Sequence, residues 1–309
     1  MYGAIIGATS ILDIEAATNQ ACGAFLPSDR CLPEYLYYFF LGNKSEIIKK
    51  GVGGAQPNIS ASILKALKIP LPNLETQKRI AAILDEADTL RQLNQQLIAK
   101  YDALTQSLFL DMFDDPISNP KGWEAIEIQK LILKVDKLNN GNRLETIRYV
   151  DISSIDNKTN QILNYTEYKF NERPSRAQQI IKKGDVLLST VRPNLKNIAL
   201  NNYDDLIAST GFFVFRVNQK INNWFLFELL KSESITDSFV KITSGANYPA
   251  LNNSELKKLK FIVPPTHLQT QFAERVQLIE QQKQQTQDAL QKSEQLFNGL
   301  LQKAFNGTL

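Results

Sequence analysis

GVGGAQPNISASILKALKIPLP occupies residues 51–72, and a variant of it, ITSGANYPALNNSELKKLKFIVPP, returns at 242–265. Internal repeats decide architecture, so the extent of this one is the first question. An offset of 192 residues aligns 53–113 with 245–305 without a gap and keeps 16 identities in 61 positions. Gly53 falls on Gly245, Pro57 on Pro249, Pro72 on Pro264, Gln77 on Gln269, Leu104 on Leu296, Leu108 on Leu300 and Phe113 on Phe305. Such a period is far longer than the roughly 20–50 residues of a solenoid unit, so the reading is a duplicated domain. Upstream, Thr18–Phe25 resembles Ala208–Phe215, and LPEYLYYFFL (32–41) resembles NNWFLFELLK (222–231). The second copy runs back to about residue 116. The first begins in mid-unit, with roughly 75 residues of it absent if Tyr2-Gly3 matches Arg192-Pro193.

Composition sets the class. A chain of 309 residues predicts about two domains, and 43% apolar content is ordinary for a soluble protein. No apolar run reaches the ~20 residues that cross a bilayer, and the start, MYGAIIGATSILDIEA, has no basic segment like that of a signal peptide. Two cysteines, Cys22 and Cys31, make no disulfide framework, which predicts a reducing cytoplasm. The net charge is only +3, but residues 116–265 carry 21 basic and 15 acidic side chains, while 73–115 carry 4 and 8. A basic bias confined to one domain is the electrostatic footprint of a polyanion binder.

Each repeat ends in a long helical pattern. In the first, Ile83, Ala87, Leu90, Leu97, Tyr101, Leu104 and Leu108 recur in steps of 4 and 3, with Asn94 as the polar insertion. Asn73 or Thr76 is placed to cap its start, and the pattern dies at FDDPISNP (113–120). About 40 residues at 1.5 Å each span roughly 55–60 Å, more than a small domain needs for its own core. The second pattern, 266–304, has a poorer seam of Ile279, Ala289, Leu296 and Leu300. The expectation is that the two helices pack as an antiparallel coiled-coil pair. Between them KGDVLLST (183–190), LIASTGFFVFRV (206–217) and LKFIVP (259–264) predict strands, DKLNNGNRLET (136–146) and DNKTNQ (156–161) predict turns, and 223–242 predicts an amphipathic helix. The predicted fold is α+β. Units with a mixed or antiparallel sheet occupy 1–72 in part and 116–265 in full, and the long helices occupy 73–115 and 266–309.

Chemistry is sought and not found. The single histidine, His267, sits beside Pro264-Pro265 at a helix start, and one His with two Cys does not make a zinc cluster. No phosphate-binding GxxxxGK[ST] loop and no GxSxG elbow is present. Gly51-Val52-Gly53-Gly54 becomes Thr243-Ser244-Gly245-Ala246 in the second copy, which fits a turn better than a phosphate cradle. What remains is a duplicated binding module on a helical spacer. DNA half-sites one turn apart, about 34 Å, suit such a spacer.

At this point the chain resembles the DNA-specificity subunit of type I restriction–modification systems. The resemblance is carried by MYGAIIGATSILDIEAATNQACGAF (1–25), GGAQPNIS (53–60), IPLPNLETQKRIAAILDEAD (69–88), PKGWE (120–124), STVRPNLKNIA (189–199), STGFFVFR (209–216) and SGANYPALN (244–252). It implies two target-recognition domains, each reading one part of a bipartite DNA target, set apart by paired helices. It also implies a non-catalytic subunit that recruits two methyltransferase subunits and two restriction subunits. The partners use S-adenosylmethionine, ATP and Mg, and this chain binds no cofactor. The shortened start departs from the family pattern and leaves a second reading, an assembly or donor-type variant that recruits methyltransferase but reads DNA poorly or only as a homodimer.

For DNA contact the intact unit supplies the candidates. Arg143, Lys158, Arg173, Arg176, Arg192 and Lys196 lie in predicted loops or strand ends, where they suit phosphates or guanine edges. Asn194, Asn197, Asn247 and Tyr248 are candidates for base or backbone hydrogen bonds. Arg216 is expected to pair within the sheet instead.

Overall fold

The computed structural model describes residues 6–26, 28–52, 58–139, 141, 144–243 and 249–309. It divides into two compact units, Met1–Lys100 with Gln282–Leu309, and Tyr101–Gln281. The helices are α1 (Pro33–Gly42), α2 (Lys44–Lys49), α3 (Ala61–Lys65), α4 (Leu74–Phe113), α5 (Asn223–Lys231), α6 (Glu233–Lys241), α7 (Asn253–Leu256) and α8 (Thr266–Phe305). Each unit therefore takes the start of one 40-residue helix and the end of the other. No described helix is long and apolar enough to cross a membrane.

The first unit is built on α1 and α4. Pro33 at the first position of α1 has no N–H to leave unpaired, and the Asn73 carboxamide oxygen accepts from the Thr76 N–H to cap α4. Tyr35, Tyr38, Ile80, Leu84, Phe297 and Leu301 form its core. Phe39, Phe40, Ile47 and Ile59 form a second cluster beneath α2. The two long helices are antiparallel here. The Arg91 guanidinium lies 4.7 Å from the Phe297 ring centre, and the Asn94 amide reaches the Ser293 hydroxyl at 3.5 Å. Thr18–Phe25 carries no strand, unlike its counterpart 208–215, and stays exposed apart from Ala21 and from the Phe25 ring 4.8 Å from Phe40.

The helix seam differs from the expected one. Leu90, Leu97 and Leu104 are 47%, 39% and 50% exposed, and Leu296 is also exposed. Ala87 of the expected seam is buried, and the buried line runs through it with Gln77, Ile80, Leu84 and Asp88, and on the partner helix through Lys283, Thr286, Ser293, Phe297 and Leu301. Leucine recurs every seven residues on α4, but a seven-residue repeat marks a stripe without saying which stripe is covered. Asn94 lies on the buried side, as expected of a polar seam residue, and contacts Ser293.

The second unit is a sheet sandwich. Its strands are β1 (Ala125–Glu127), β2 (Ile132–Leu133), β3 (Asp136–Lys137), β4 (Thr146–Val150), β5 (Ile155–Asp156), β6 (Gln161–Ile162), β7 (Thr166–Lys169), β8 (Ala177–Ile181), β9 (Val186–Ser189), β10 (Ile198–Leu200), β11 (Leu206–Ser209), β12 (Phe212–Val217) and β13 (Lys260–Ile262). One sheet is ordered β10-β9-β12-β2 and the other β3-β8-β11-β4-β7, with β11 and β4 the parallel pair. Alternation assigns the faces. Val186, Leu188, Phe213 and Phe215 face the helices, against Phe225, Phe109, Phe113 and Phe272. Leu187, Phe212 and Val214 face the other sheet, against Val150, Leu206 and Ala208. The aromatic knot is dense: the Phe113 ring centre lies 4.8 Å from that of Phe225 and 5.3 Å from that of Phe272. Truncating one such ring to alanine typically costs about 3–5 kcal/mol.

The segments expected as strands carry β9, β11 with β12, and β13. The stretch 223–242 forms two helices rather than one. Ser232 is extended at φ −63°, ψ 145°, and its hydroxyl donates to the Leu229 carbonyl at 2.8 Å, which closes α5 and opens α6. Arg216 pairs within the sheet. Its guanidinium donates to both Asp185 carboxylate oxygens at 3.1 and 2.9 Å and to the Ile180 carbonyl at 2.9 Å. The Asp185 hydrogen bonds hold the Arg216 guanidinium even more firmly protonated than usual.

Candidate nucleic-acid interface

Strand direction gathers the loops of the second unit at one end. Ser189 at the end of β9 sits opposite Phe212 at the start of β12, and Ser209 at the end of β11 opposite Ala177 at the start of β8. The parallel pairing of β4 with β11 brings the end of β4 to the same place, Val150 opposite Ala208. Three connections therefore meet there: 173–176 before β8, 190–197 between β9 and β10, and Thr210-Gly211 between β11 and β12. Hydrogen bonds tie them together. The Thr190 N–H donates to the Gly211 carbonyl at 2.9 Å, and the Thr210 N–H donates to the Arg176 carbonyl at 3.0 Å. A fourth segment joins from the β5–β6 hairpin, whose Asn160 amide donates to the Lys196 carbonyl at 2.9 Å.

The 190–197 loop is the most constrained part of this end. Arg192 and Lys196 both lie in the left-handed region, at φ 50° and 51°. A non-glycine residue there costs on the order of 1–2 kcal/mol and persists only where its surroundings enforce it. The enforcing contacts are visible. The Arg192 N–H donates to the Pro249 carbonyl and the Leu251 N–H to the Thr190 carbonyl, both at 2.8 Å. The Lys196 ammonium donates to the Glu233 carboxylate at 2.6 Å and to the Lys231 carbonyl at 3.1 Å. Between the two left-handed residues a single 3-10 turn, Pro193–Leu195, places Asn194 and Leu195 in solvent.

The predicted contact residues fall into three groups. Lys158, Arg176, Arg192 and Asn194 are exposed on three of the four converging segments. Lys158 stands at the tip of the β5–β6 hairpin, where its N–H donates to Asp156 at 3.1 Å. That bond and the Thr159 hydroxyl hold the Asp156 carboxyl below its ordinary range. Arg173, Lys196 and Asn197 are half-buried. The Arg173 guanidinium stacks 3.9 Å from the Phe170 ring centre and donates to the Phe170 carbonyl, and it borders an open groove of about 460 Å³ lined by Leu138, Asn139, Pro174, Ser175 and Gln178. The Asn197 carbonyl accepts from the Ser189 N–H at 2.9 Å. Arg143, Asn247 and Tyr248 lie outside the described residues.

Sequence reasoning missed the bracing residues Asn160, Glu233 and Pro249. Each meets the loop across tens of residues of chain, and nothing local in the sequence marks that. Among the described residues, no group of three His, Cys, Asp or Glu is arranged to hold a metal ion.

The second unit is thus a sheet sandwich within an α+β fold, and its converging loops carry exposed basic side chains. The model of the type I restriction modification DNA specificity domain matches residues 1–101 and 120–292. The specificity subunit of the MjaVIII type I restriction enzyme from Methanocaldococcus jannaschii is 26% identical over 86% of this chain and 68% of its own. The crystal structure of a type I restriction-modification S subunit from M. genitalium is 20% identical, covers 89% of this chain and 73% of its own, and has a TM-score of 0.56, which shows a shared fold. A chain from a structural study of complex assembly and conformational transition of the type I R-M system is 32% identical over 55% of this chain, with a TM-score of 0.49. Of that longer chain, this one spans 45%. The chain belongs to the type I restriction modification DNA specificity family. Its function is DNA-target specificity in such a system.

Proposed function

We propose that the second unit reads one part of a bipartite DNA target through the loop end just described. The observation that supports this is the placing of Lys158, Arg176, Arg192 and Asn194 on three segments of one loop end that hydrogen bonds tie together, directly or through Thr210-Gly211. Lysines and arginines on such an end neutralise phosphates, and Arg192 and Asn194, carried on a stiff loop, suit base edges in the groove. In this reading the chain is not catalytic and binds no cofactor. Two methyltransferase subunits supply adenine methylation from S-adenosylmethionine, and two restriction subunits supply ATP- and Mg-dependent cleavage, all in the cytoplasm. Leu90, Leu93 and Leu97, exposed on α4 in the first unit, offer an apolar stripe for a helix of a methyltransferase subunit.

The test is to co-express the chain with its modification subunits and map adenine methylation across host DNA. A bipartite asymmetric motif supports the reading. A palindromic motif would mean that two copies present the same unit twice. Absence of any methylated motif, with the complex intact on a sizing column, would overturn it.

A further inference from the structure

Lys196, a predicted DNA contact, already has its charge paired inside the second unit. Its side chain is only 25% exposed, and its ammonium lies 2.6 Å from the Glu233 carboxylate at the start of α6. It also donates to the Lys231 carbonyl at the end of α5, so it bridges the α5–α6 junction to the loop. Its backbone is left-handed, and its carbonyl is taken by Asn160 from the β5–β6 hairpin. The same junction exists because Ser232 breaks the helix between Lys231 and Glu233.

We infer that the Lys196–Glu233 ion pair is a latch that fixes the 190–197 loop for base reading, and that Lys196 is a positioning residue rather than a phosphate contact. This rests on the reading of the loop end as the DNA-contacting surface. The physical argument is one of preorganisation. Arg192 and Asn194 can discriminate bases only if their backbone is held before DNA arrives, because ordering it on binding would consume the difference between right and wrong sequences. Two left-handed residues flanking three tip residues give a loop one shape. The bonds of Lys196 to Glu233, Lys231 and Asn160 hold one end of it, and the Pro249 carbonyl holds the other.

The two roles predict opposite signs at Glu233. Removing a carboxylate beside a DNA-binding loop strengthens non-specific attraction to phosphate, whereas breaking a latch weakens specific binding. The probe is a random-sequence duplex library, selected on the full chain alone and with its co-expressed modification subunits. The enriched duplex is then titrated against a scrambled one from 50 to 200 mM salt. Failure of the wild-type chain to enrich any sequence in either form would sink the DNA reading itself, independently of the latch. Given enrichment, Glu233→Ala is expected to lose a few-fold and Lys196→Met, which also loses the Lys231 bond, about tenfold of the preference for the enriched duplex, with the salt slope unchanged, and Lys196→Arg to retain most of it. Unchanged or tighter specific binding by Glu233→Ala would overturn the latch. So would an equal loss on both duplexes by Lys196→Met with the slope reduced by about one, the mark of a lost phosphate contact. Glu233 is exposed at the surface, so its variant keeps the test decisive should Lys196→Met fail to fold.

Discussion

Gln77 and Gln269 make the same three hydrogen bonds, one in each compact unit. The Gln77 carboxamide oxygen accepts from the Leu32 N–H at 2.9 Å, and its amide donates to the carbonyls of Arg30 and Pro72 at 2.9 and 2.8 Å. The Gln269 oxygen accepts from the Asn222 N–H at 2.7 Å, and its amide donates to Lys220 and Pro264 at 3.2 and 2.7 Å. Both side chains are fully buried. In each case a long helix fastens its first turn to the residue that opens a short aromatic helix, α1 or α5. Two residues 192 apart in an ungapped repeat thus keep both identity and partners.

Gln269→Ala should therefore cost about 2–4 kcal/mol, because a donor and two acceptors are left unpaired in the interior. Both tryptophans, Trp123 and Trp224, lie in the second unit, so urea unfolding followed by tryptophan fluorescence reports the loss there. Gln77→Ala should accelerate amide exchange at Leu32. A shift below about 0.5 kcal/mol for Gln269→Ala would contradict this account.

Arg216 and Asp185 form a pair that is largely buried, with the two side chains 13% and 4% exposed. Arg216→Ala strands the carboxylate and is expected to cost about 3–5 kcal/mol. Arg216→Met with Asp185→Leu should recover part of that, since the apolar pair leaves no buried charge. The Lys182 N–H, which also donates to Asp185 at 2.8 Å, sets the limit of the recovery. Tryptophan-detected urea midpoints of the single and double variants decide the matter.

The Tyr38 hydroxyl donates to Asp85 at 2.6 Å. Burial, then that hydrogen bond, push its ionisation well above the ordinary tyrosine range. The unfolded chain gives up this proton first, near pH 10, so the contribution is complete below that pH and is lost as pH rises above it. Tyr38→Phe should flatten the alkaline limb of a stability–pH profile of the first unit, followed by amide exchange of α1. An unchanged limb would count against the linkage.

Arg176→Ala should weaken binding to an enriched duplex and to a scrambled one alike, and lower the salt slope by about one. Arg192→Ala should cost about 1–3 kcal/mol on the enriched duplex and relax the preference at one base pair. Titrations at several salt concentrations separate the two, and an unchanged affinity in either variant removes that residue from the surface.

Replacing Leu90, Leu93 and Leu97 together with Gln should move the stability of the chain by little, since surface changes typically fall within about 0.5 kcal/mol each. The same variant should lose co-purification with the modification subunits. Retention of a full complement of those subunits would free the stripe of that role.

The sequence alone carried the duplication, the start of the first long helix to within Asn73 or Thr76 and of the second near Thr266, the strands β9, β11, β12 and β13, and the internal pairing of Arg216. These follow from local patterning: turn residues, alternation of apolar side chains, and a register that the repeat states twice. Tertiary structure decided which stripe of α4 is covered. Leu90, Leu97 and Leu104 recur as regularly as Ala87 and Asn94, and only the partner helix with Ser293 and Phe297 selects between the two. It also decided that Lys196 spends its charge on Glu233, 37 residues away. Periodicity is a property of the chain, but burial and ion pairing depend on what a distant segment brings to the same place.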